Sequence, residues 1–160
     1  MVMEIKLLLL LLIANGAPIL ARHLFGERFT WPVDGGLKTP AGNPLLGPSK
    51  TWRGLAVAII LAALCAPLLG ISWHWGAVVG ALAMLGDLLA SFTKRRLGYA
   101  PSSRADGLDQ IPESLLPLAA VAPAFHLDPI TVAMMVIAFY LVVPLLSRLF
   151  FLLGIRRRPY

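Results

Sequence analysis

Five apolar stretches, separated by two long polar loops and two short turns, most constrain what this chain can fold into. They fall at about 2–20, 54–71, 76–93, 111–127 and 130–153. A helix needs roughly 20 apolar residues to cross a bilayer, and the stretch at 54–71 has about 18, just enough to span. Inside hydrocarbon a helix satisfies its own backbone groups, so the pattern reads as helices. Composition agrees: 58% of the chain is hydrophobic and 14% charged, whereas soluble domains carry about 25% charged residues. The first stretch is not a signal peptide, because no small-x-small cleavage pattern follows and the later segments are equally apolar. The expected fold is an all-α integral membrane protein with about five transmembrane helices, in a single membrane-embedded domain over 1–160. The fourth helix is short and Pro-interrupted, with Pro112 near its first turn, where proline is tolerated. Trp73-His74-Trp75 reads as a short aromatic turn at headgroup level.

Charge sets the expected orientation. Loop 22–53 holds Arg22, Arg28, Lys38, Lys50 and Arg53, and loop 94–110 holds Lys94, Arg95, Arg96 and Arg104. Arg148, Arg156, Arg157 and Arg158 stand at the C-terminal end, leaving only Lys6 for the other side. The positive-inside rule then puts both loops and the C-terminus in the cytoplasm, with the N-terminus outside. A multi-pass protein of the cell (inner) membrane with its chemistry on the cytoplasmic face is expected. The net charge of +6 reflects this one basic face, so nucleic acid is not an expected partner. Cys65 is the one cysteine, which excludes a disulfide within the chain and a Cys-based metal site. It reads as a small buried hydrophobe.

The chemistry concentrates in 86–113. Asp87 sits inside an apolar helix, where a charged side chain costs about 2.5–3.5 kcal/mol on insertion scales and usually faces a polar cavity or a partner. Asp87, Ser91 and Lys94, at i, i+4 and i+7, share one helix face. Lys94, Arg95 and Arg96 follow, read either as phosphate binders or as stop-transfer charges on anionic headgroups; for Arg96 the second reading is preferred. Asp106 and Asp109 either cap the fourth helix or serve the site, and Asp109 is the stronger functional candidate because the chain re-enters the membrane there. Two carboxylates together with phosphate oxygens suit Mg²⁺, an oxygen-seeking octahedral ion. Upstream, Gly47-Pro48-Ser49-Lys50-Thr51-Trp52-Arg53-Gly54 ends the first loop at a helix start, where backbone N–H groups, a lysine and hydroxyls favour phosphate. Pro48 and Ser49 separate Gly47 from Lys50, so this is not a Walker A loop. Ser49 or Thr51 acting only as a helix N-cap is the plain alternative. Asn15-Gly16 serves helix packing or the site equally well, and Asp34-Gly35-Gly36 has turn composition. The three histidines are scattered. Without an evident general base, the inventory fits phosphoryl or nucleotidyl transfer to a phosphate, where the attacking oxygen is already ionised.

These motifs carry a family resemblance. Gly-Asp-Leu-Leu-Ala-Ser-Phe-Thr-Lys-Arg-Arg at 86–96, followed by Gly-Leu-Asp-Gln at 107–110, resembles the signature of CTP:phosphatidate cytidylyltransferases. The 47–54 motif resembles that family's upstream Lys-Thr motif. The small size, Ala-Asn-Gly-Ala-Pro at 14–18 and Ser-Ser-Arg-x-x-Gly-Leu-Asp-Gln-Ile-Pro-Glu at 102–113 are similar to the CDP-archaeol synthase branch. The resemblance implies CMP transfer from CTP to a membrane lipid phosphate, giving a CDP-lipid and pyrophosphate with Mg²⁺. It implies Asp87 and Asp109 as metal acids. Lys94, Ser91, Arg95 and Arg104 are implied at the nucleotide phosphates, with Lys50, Thr51 and Ser49 as upstream contacts. Ser102-Ser103-Arg104 and Gln110 stand where the phosphatidate branch has Gly-His-Gly-Gly and an Arg, which favours the ether-lipid branch or a relative; the lipid phosphate is then archaeol-type or, as the alternative, phosphatidate-like.

Two other functions compete with this reading. A CDP-alcohol phosphotransferase would carry a D-x-x-D-G…G-x-x-x-D-x-x-x-D pattern, absent here. A small transporter or scaffold would spread polar groups across several helices instead of gathering its acids at one face.

Overall fold

A computed structural model describes residues 3–40, 42–103 and 105–154. Five α-helices form in order: α1 Met3–Phe25, α2 Trp52–Cys65, α3 Trp73–Arg96, α4 Gln110–Val121 and α5 Pro129–Leu152. A 3₁₀ turn, Pro67–Leu69, extends α2, and no strand forms among the described residues. Four segments are long and apolar enough to cross a membrane: α1, Trp52–Leu69, α3 and α5. The exception, α4, has 12 residues, roughly 18 Å of helix against a hydrocarbon core of about 30 Å. It stops at Val121, six residues before the sequence suggests, and turns at 122–127 take over.

Other boundaries also move. Trp73-His74-Trp75 is not a turn but the first turn of α3, beginning after Ser72. The C-terminal bound moves too: Lys94, Arg95 and Arg96 remain helical, and the second loop is 97–109. Positive side chains complement the C-terminal end of a helix dipole, so three basic residues there prolong the helix.

The helices bury one shared core of Leu7, Leu10, Leu11 and Ala14 from α1, Val79 and Ala83 from α3, Leu118 and Val121 from α4, and Phe139 from α5. The opposite face of α5 exposes Ile130, Met134, Ile137, Leu141, Leu145 and Leu149 at helical spacing, an apolar stripe suited to lipid. Backbones touch where glycines permit it. A Cβ on Gly86 would lie 2.3 Å from the Pro112 carbonyl oxygen, so the first turn of α4 rests against mid-α3. Both long loops lie at one end of the bundle, as the charge pattern requires. Arg53 donates to the carbonyls of Gly26 and Arg28, and Arg96 donates to that of Pro44 while lying over the Phe92 ring. Arg96 is thereby a brace between the loop and α3. Lys6 sits at the far end, beside Gly70, where Trp75 meets Phe125 edge to face.

Candidate active site

The first loop is built to hold Lys50 in place. Asp34 anchors it: Oδ1 accepts from Gly36 N–H, and Oδ2 accepts from Leu46 and Gly47 N–H at 2.9 and 3.2 Å. Burial pushes the Asp34 carboxyl up, but these backbone donors outweigh it and hold the group below its ordinary value of 3.8. Val33 N–H donates to the Lys50 carbonyl at 2.8 Å, fixing the backbone where Lys50 leaves the loop. Thr51 takes the N-cap of α2, its hydroxyl accepting from Gly54 N–H at 3.2 Å, so the capping alternative describes Thr51. Ser49 is exposed on the loop.

Lys50 then reaches across to α3, and its Nζ donates to both oxygens of Asp87 at 2.6 Å. Asp87 stands nine residues before the end of α3, about 14 Å down the helix. One turn above it on the same face, Ser91 is buried. A turn higher, Lys94 meets Asp109 Oδ1 at 2.5 Å and donates to the Ser103 carbonyl at 3.0 Å. Asp109 occupies the cap position of α4 without capping it; its Oδ2 instead accepts from Ala105 N–H at 3.0 Å. Arg95 is buried and donates to the Tyr99 carbonyl at 2.5 Å, while its Nε and the Ser103 hydroxyl are buried without a hydrogen-bond partner among the described residues. Arg104 lies outside the described residues, as do Arg156, Arg157 and Arg158.

Thus Lys50, Asp87, Ser91, Lys94 and Asp109 line one face of α3, with Arg95 beside them. Ser49 is exposed on the loop beside Lys50, and the Thr51 hydroxyl is engaged in its cap. One acid escaped the sequence reading: Glu113, buried in the first turn of α4, accepts from Asn15 Nδ2 of α1 at 2.5 Å. It stands within Coulombic reach of Asp87, Lys50 and Asp109. The signal available was its position four residues after Asp109, hence the same helix face. Asn15, readable either way from sequence, is therefore tied to the site.

No group of three or more His, Cys, Asp and Glu side chains is arranged to hold a metal among the described residues. That excludes a closed all-protein cage here. Asp87 and Asp109 are two carboxylates beside lysines, and one or two carboxylates with substrate phosphates completing the shell are a donor set that suits Mg²⁺.

Known proteins resemble this chain in sequence and in fold. The family described as CarS-like, CDP-archaeol synthase, matches residues 69–160. This chain belongs to the CDP-archaeol synthase family. A CDP-archaeol synthase of Hyperthermus butylicus is 39% identical over 127 residues, 72% of this chain and 71% of the relative. The Aeropyrum pernix CDP-archaeol synthase is 37% identical over 166 residues, covering 98% and 90%. A solved intramembrane enzyme for archaeal membrane lipid biosynthesis superposes with a TM-score of 0.71 at 29% identity, over 91% of this chain and 92% of the other. The chain is a multi-pass membrane protein of that architecture.

Proposed function

We propose that this member of the CDP-archaeol synthase family transfers the cytidylyl group of CTP to an archaeol-type lipid phosphate, giving a CDP-lipid and pyrophosphate. The observation that carries the reading is the pairing of Lys50 with Asp87 and Lys94 with Asp109 along one face of α3. These pairs draw on both polar loops and gather cations and carboxylates below the basic end of the bundle. We place that end on the cytoplasmic side, with the N-terminus outside and 1–160 acting as one unit, because the basic residues of both loops collect there among the described residues while Lys6 stands at the other end.

Asp87 and Asp109 would hold Mg²⁺, which supplies charge neutralisation at the triphosphate when bound. Lys50 and Lys94 turn toward phosphate oxygens, and Ser91 lies between them to accept or donate one hydrogen bond. The buried Arg95 Nε and Ser103 hydroxyl are donors that a phosphate oxygen would satisfy. Arg104, Ser49 and the backbone around Thr51 complete the proposed nucleotide contacts. An oxygen of the lipid phosphate, already ionised at neutral pH, attacks the α-phosphorus of CTP. A new P–O bond forms as the bond to the oxygen bridging the α- and β-phosphorus breaks, and that electron pair leaves with pyrophosphate. No proton has to be removed from the nucleophile, so the chain needs no general base; its residues align phosphates and offset charge. Glu113, held by Asn15, positions the Lys50–Asp87 pair from the α4 side.

The test is incubation of the membrane-inserted protein with CTP labelled at the α-phosphorus and an ether-linked isoprenoid lipid phosphate. Labelled CDP-lipid should appear with one pyrophosphate per turnover. Release of CMP from an added CDP-lipid in exchange for an alcohol, with no use of CTP, would contradict the reading.

A further inference from the structure

The apolar surface of this chain does not end with its spans. Phe25 closes the first candidate span and Trp52 opens the second, so the two residues mark one membrane boundary at the basic end of the bundle. Segment 26–31 then carries Phe29 and Trp31 beyond both spans, yet their side chains stay 61% and 72% exposed. On a lipid-facing helix such exposure is ordinary. In a polar loop a cluster of large exposed rings marks a contact surface. Their placement is also built into the fold. Phe29 adopts φ +57°, a left-handed conformation that a bulky aromatic residue seldom takes. Arg53 clamps the turn, its guanidinium donating to the carbonyls of Gly26 and Arg28 just before Phe29. The Phe29 and Trp31 rings then meet edge to face at 6.5 Å.

The charge around these rings is mainly positive. Arg22 and Arg28 are exposed near them, and Glu27, the one acid of the segment, faces Arg22 at 3.5 Å. Aromatic rings at the membrane boundary with basic side chains beside them complement an anionic headgroup layer. The segment is also tied to Lys50. Trp52 N–H donates to the Trp31 carbonyl at 3.1 Å, and Val33 N–H donates to the Lys50 carbonyl at 2.8 Å. Pro32 and Thr51 pair between these two bonds. We propose that segment 26–31 with Trp52 is a docking surface for anionic lipid of the surrounding bilayer, and that docking steadies the backbone from which Lys50 reaches phosphate. The second half of the proposal rests on the function proposed above. The lipid is a phosphodiester, which the reaction does not consume. Arg28 meets its phosphate, while Phe29 and Trp31 lie beneath its headgroup.

The experiment uses the full chain in vesicles of mixed phosphatidylcholine and phosphatidylglycerol. Trp73→Phe and Trp75→Phe remove the far-end indoles, so that Trp31 and Trp52 carry the fluorescence. One lipid or the other is brominated near its headgroup while the mixture stays the same. Quenching should be about twofold stronger from the anionic lipid. Arg28→Gln should remove that preference and Arg28→Lys should keep it, while Arg148→Gln on α5 should leave it unchanged. Equal quenching from the two lipids, a preference that survives Arg28→Gln, or one lost equally with Arg148→Gln would overturn the docking surface. In the labelled-CTP assay, adding phosphatidylglycerol to phosphatidylcholine vesicles should lower KM for CTP about threefold in the parent and not in Arg28→Gln. Plain repulsion of CTP by an anionic membrane would raise KM instead. Selective quenching with KM unmoved or raised would overturn the link to Lys50 and leave the docking supported. A protein that forms no CDP-lipid refutes the proposed function, and the quenching alone then decides the docking.

Discussion

Two lysine–carboxylate pairs of the same chemistry are built here in different ways. Lys50–Asp87 joins a loop to a helix across 37 positions, and both side chains remain partly open, at 19% and 24% exposure. Lys94–Asp109 joins the end of α3 to the start of α4; Lys94 is only 8% exposed and also holds the Ser103 carbonyl. The first pair is a contact between groups with room to re-partner. The second is also a strut that fixes where the second loop turns back into the membrane. On the proposed function, one set of charges would serve ligand binding at one end and architecture plus binding at the other.

The sharpest way to break the comparison is Asp87→Asn. The exchange keeps size but removes the intramembrane charge, so CDP-lipid formation should fall by about 10³-fold with membrane insertion intact. Near-normal activity in the labelled-CTP assay would remove Asp87 from the mechanism. Lys50→Met and Lys94→Met should then separate the pairs. The first should lower kcat/KM for CTP about 100-fold with little change in thermal stability. The second should lower activity and also cost about 2 kcal/mol in stability. That is below the usual buried-pair penalty because Asp109 keeps some solvent contact. Equal stability losses would erase the distinction.

Smaller effects test what supports the pairs. Glu113→Gln retains an acceptor for Asn15 but replaces the carboxyl within Coulombic reach of Asp87, and should cost about tenfold in activity without unfolding. Asn15→Ala should follow it in direction. Asp34 lies furthest from the chemistry. Its folded pKa is depressed, so its contribution to loop stability is complete above the unfolded value of 3.8 and is lost as pH falls through the lower folded value. Proteolysis within 34–47 should therefore increase on acidification in the parent protein. Asp34→Asn should cleave faster at neutral pH and show less of that pH dependence.

Much of this was legible in the chain. Apolar run lengths gave the helices, and Asp87, an acid where hydrocarbon should be, marked the site. The spacing of Asp87, Ser91 and Lys94 placed them on one helical face, and α3 is helical through all three. Less legible was where α3 ends, because Lys94 and Arg95 look like residues entering water; their burial depends on Asp109 and the Tyr99 carbonyl, partners supplied by the loop's return. The short α4 was hidden because 122–127 remains apolar past the last helical turn. Glu113 was overlooked for the same reason Lys50's partner could not be assigned. Each is defined by a contact between segments distant in sequence, Asn15 with Glu113 and Lys50 with Asp87, and local periodicity carries no record of such pairs. Thr51 shows the converse: its N-cap role is local and could be read beforehand.

The central claim is that both lysines leave their carboxylates to grip the phosphates of a nucleotide. Calorimetric titration of CTP, CDP and CMP, each with Mg²⁺, into the purified protein in lipid nanodiscs tests it most directly. Affinity should fall from CTP to CDP to CMP, and Lys50→Met and Lys94→Met should each flatten that order. CMP binding as tightly as CTP, or CTP affinity unchanged in both lysine variants, would contradict it.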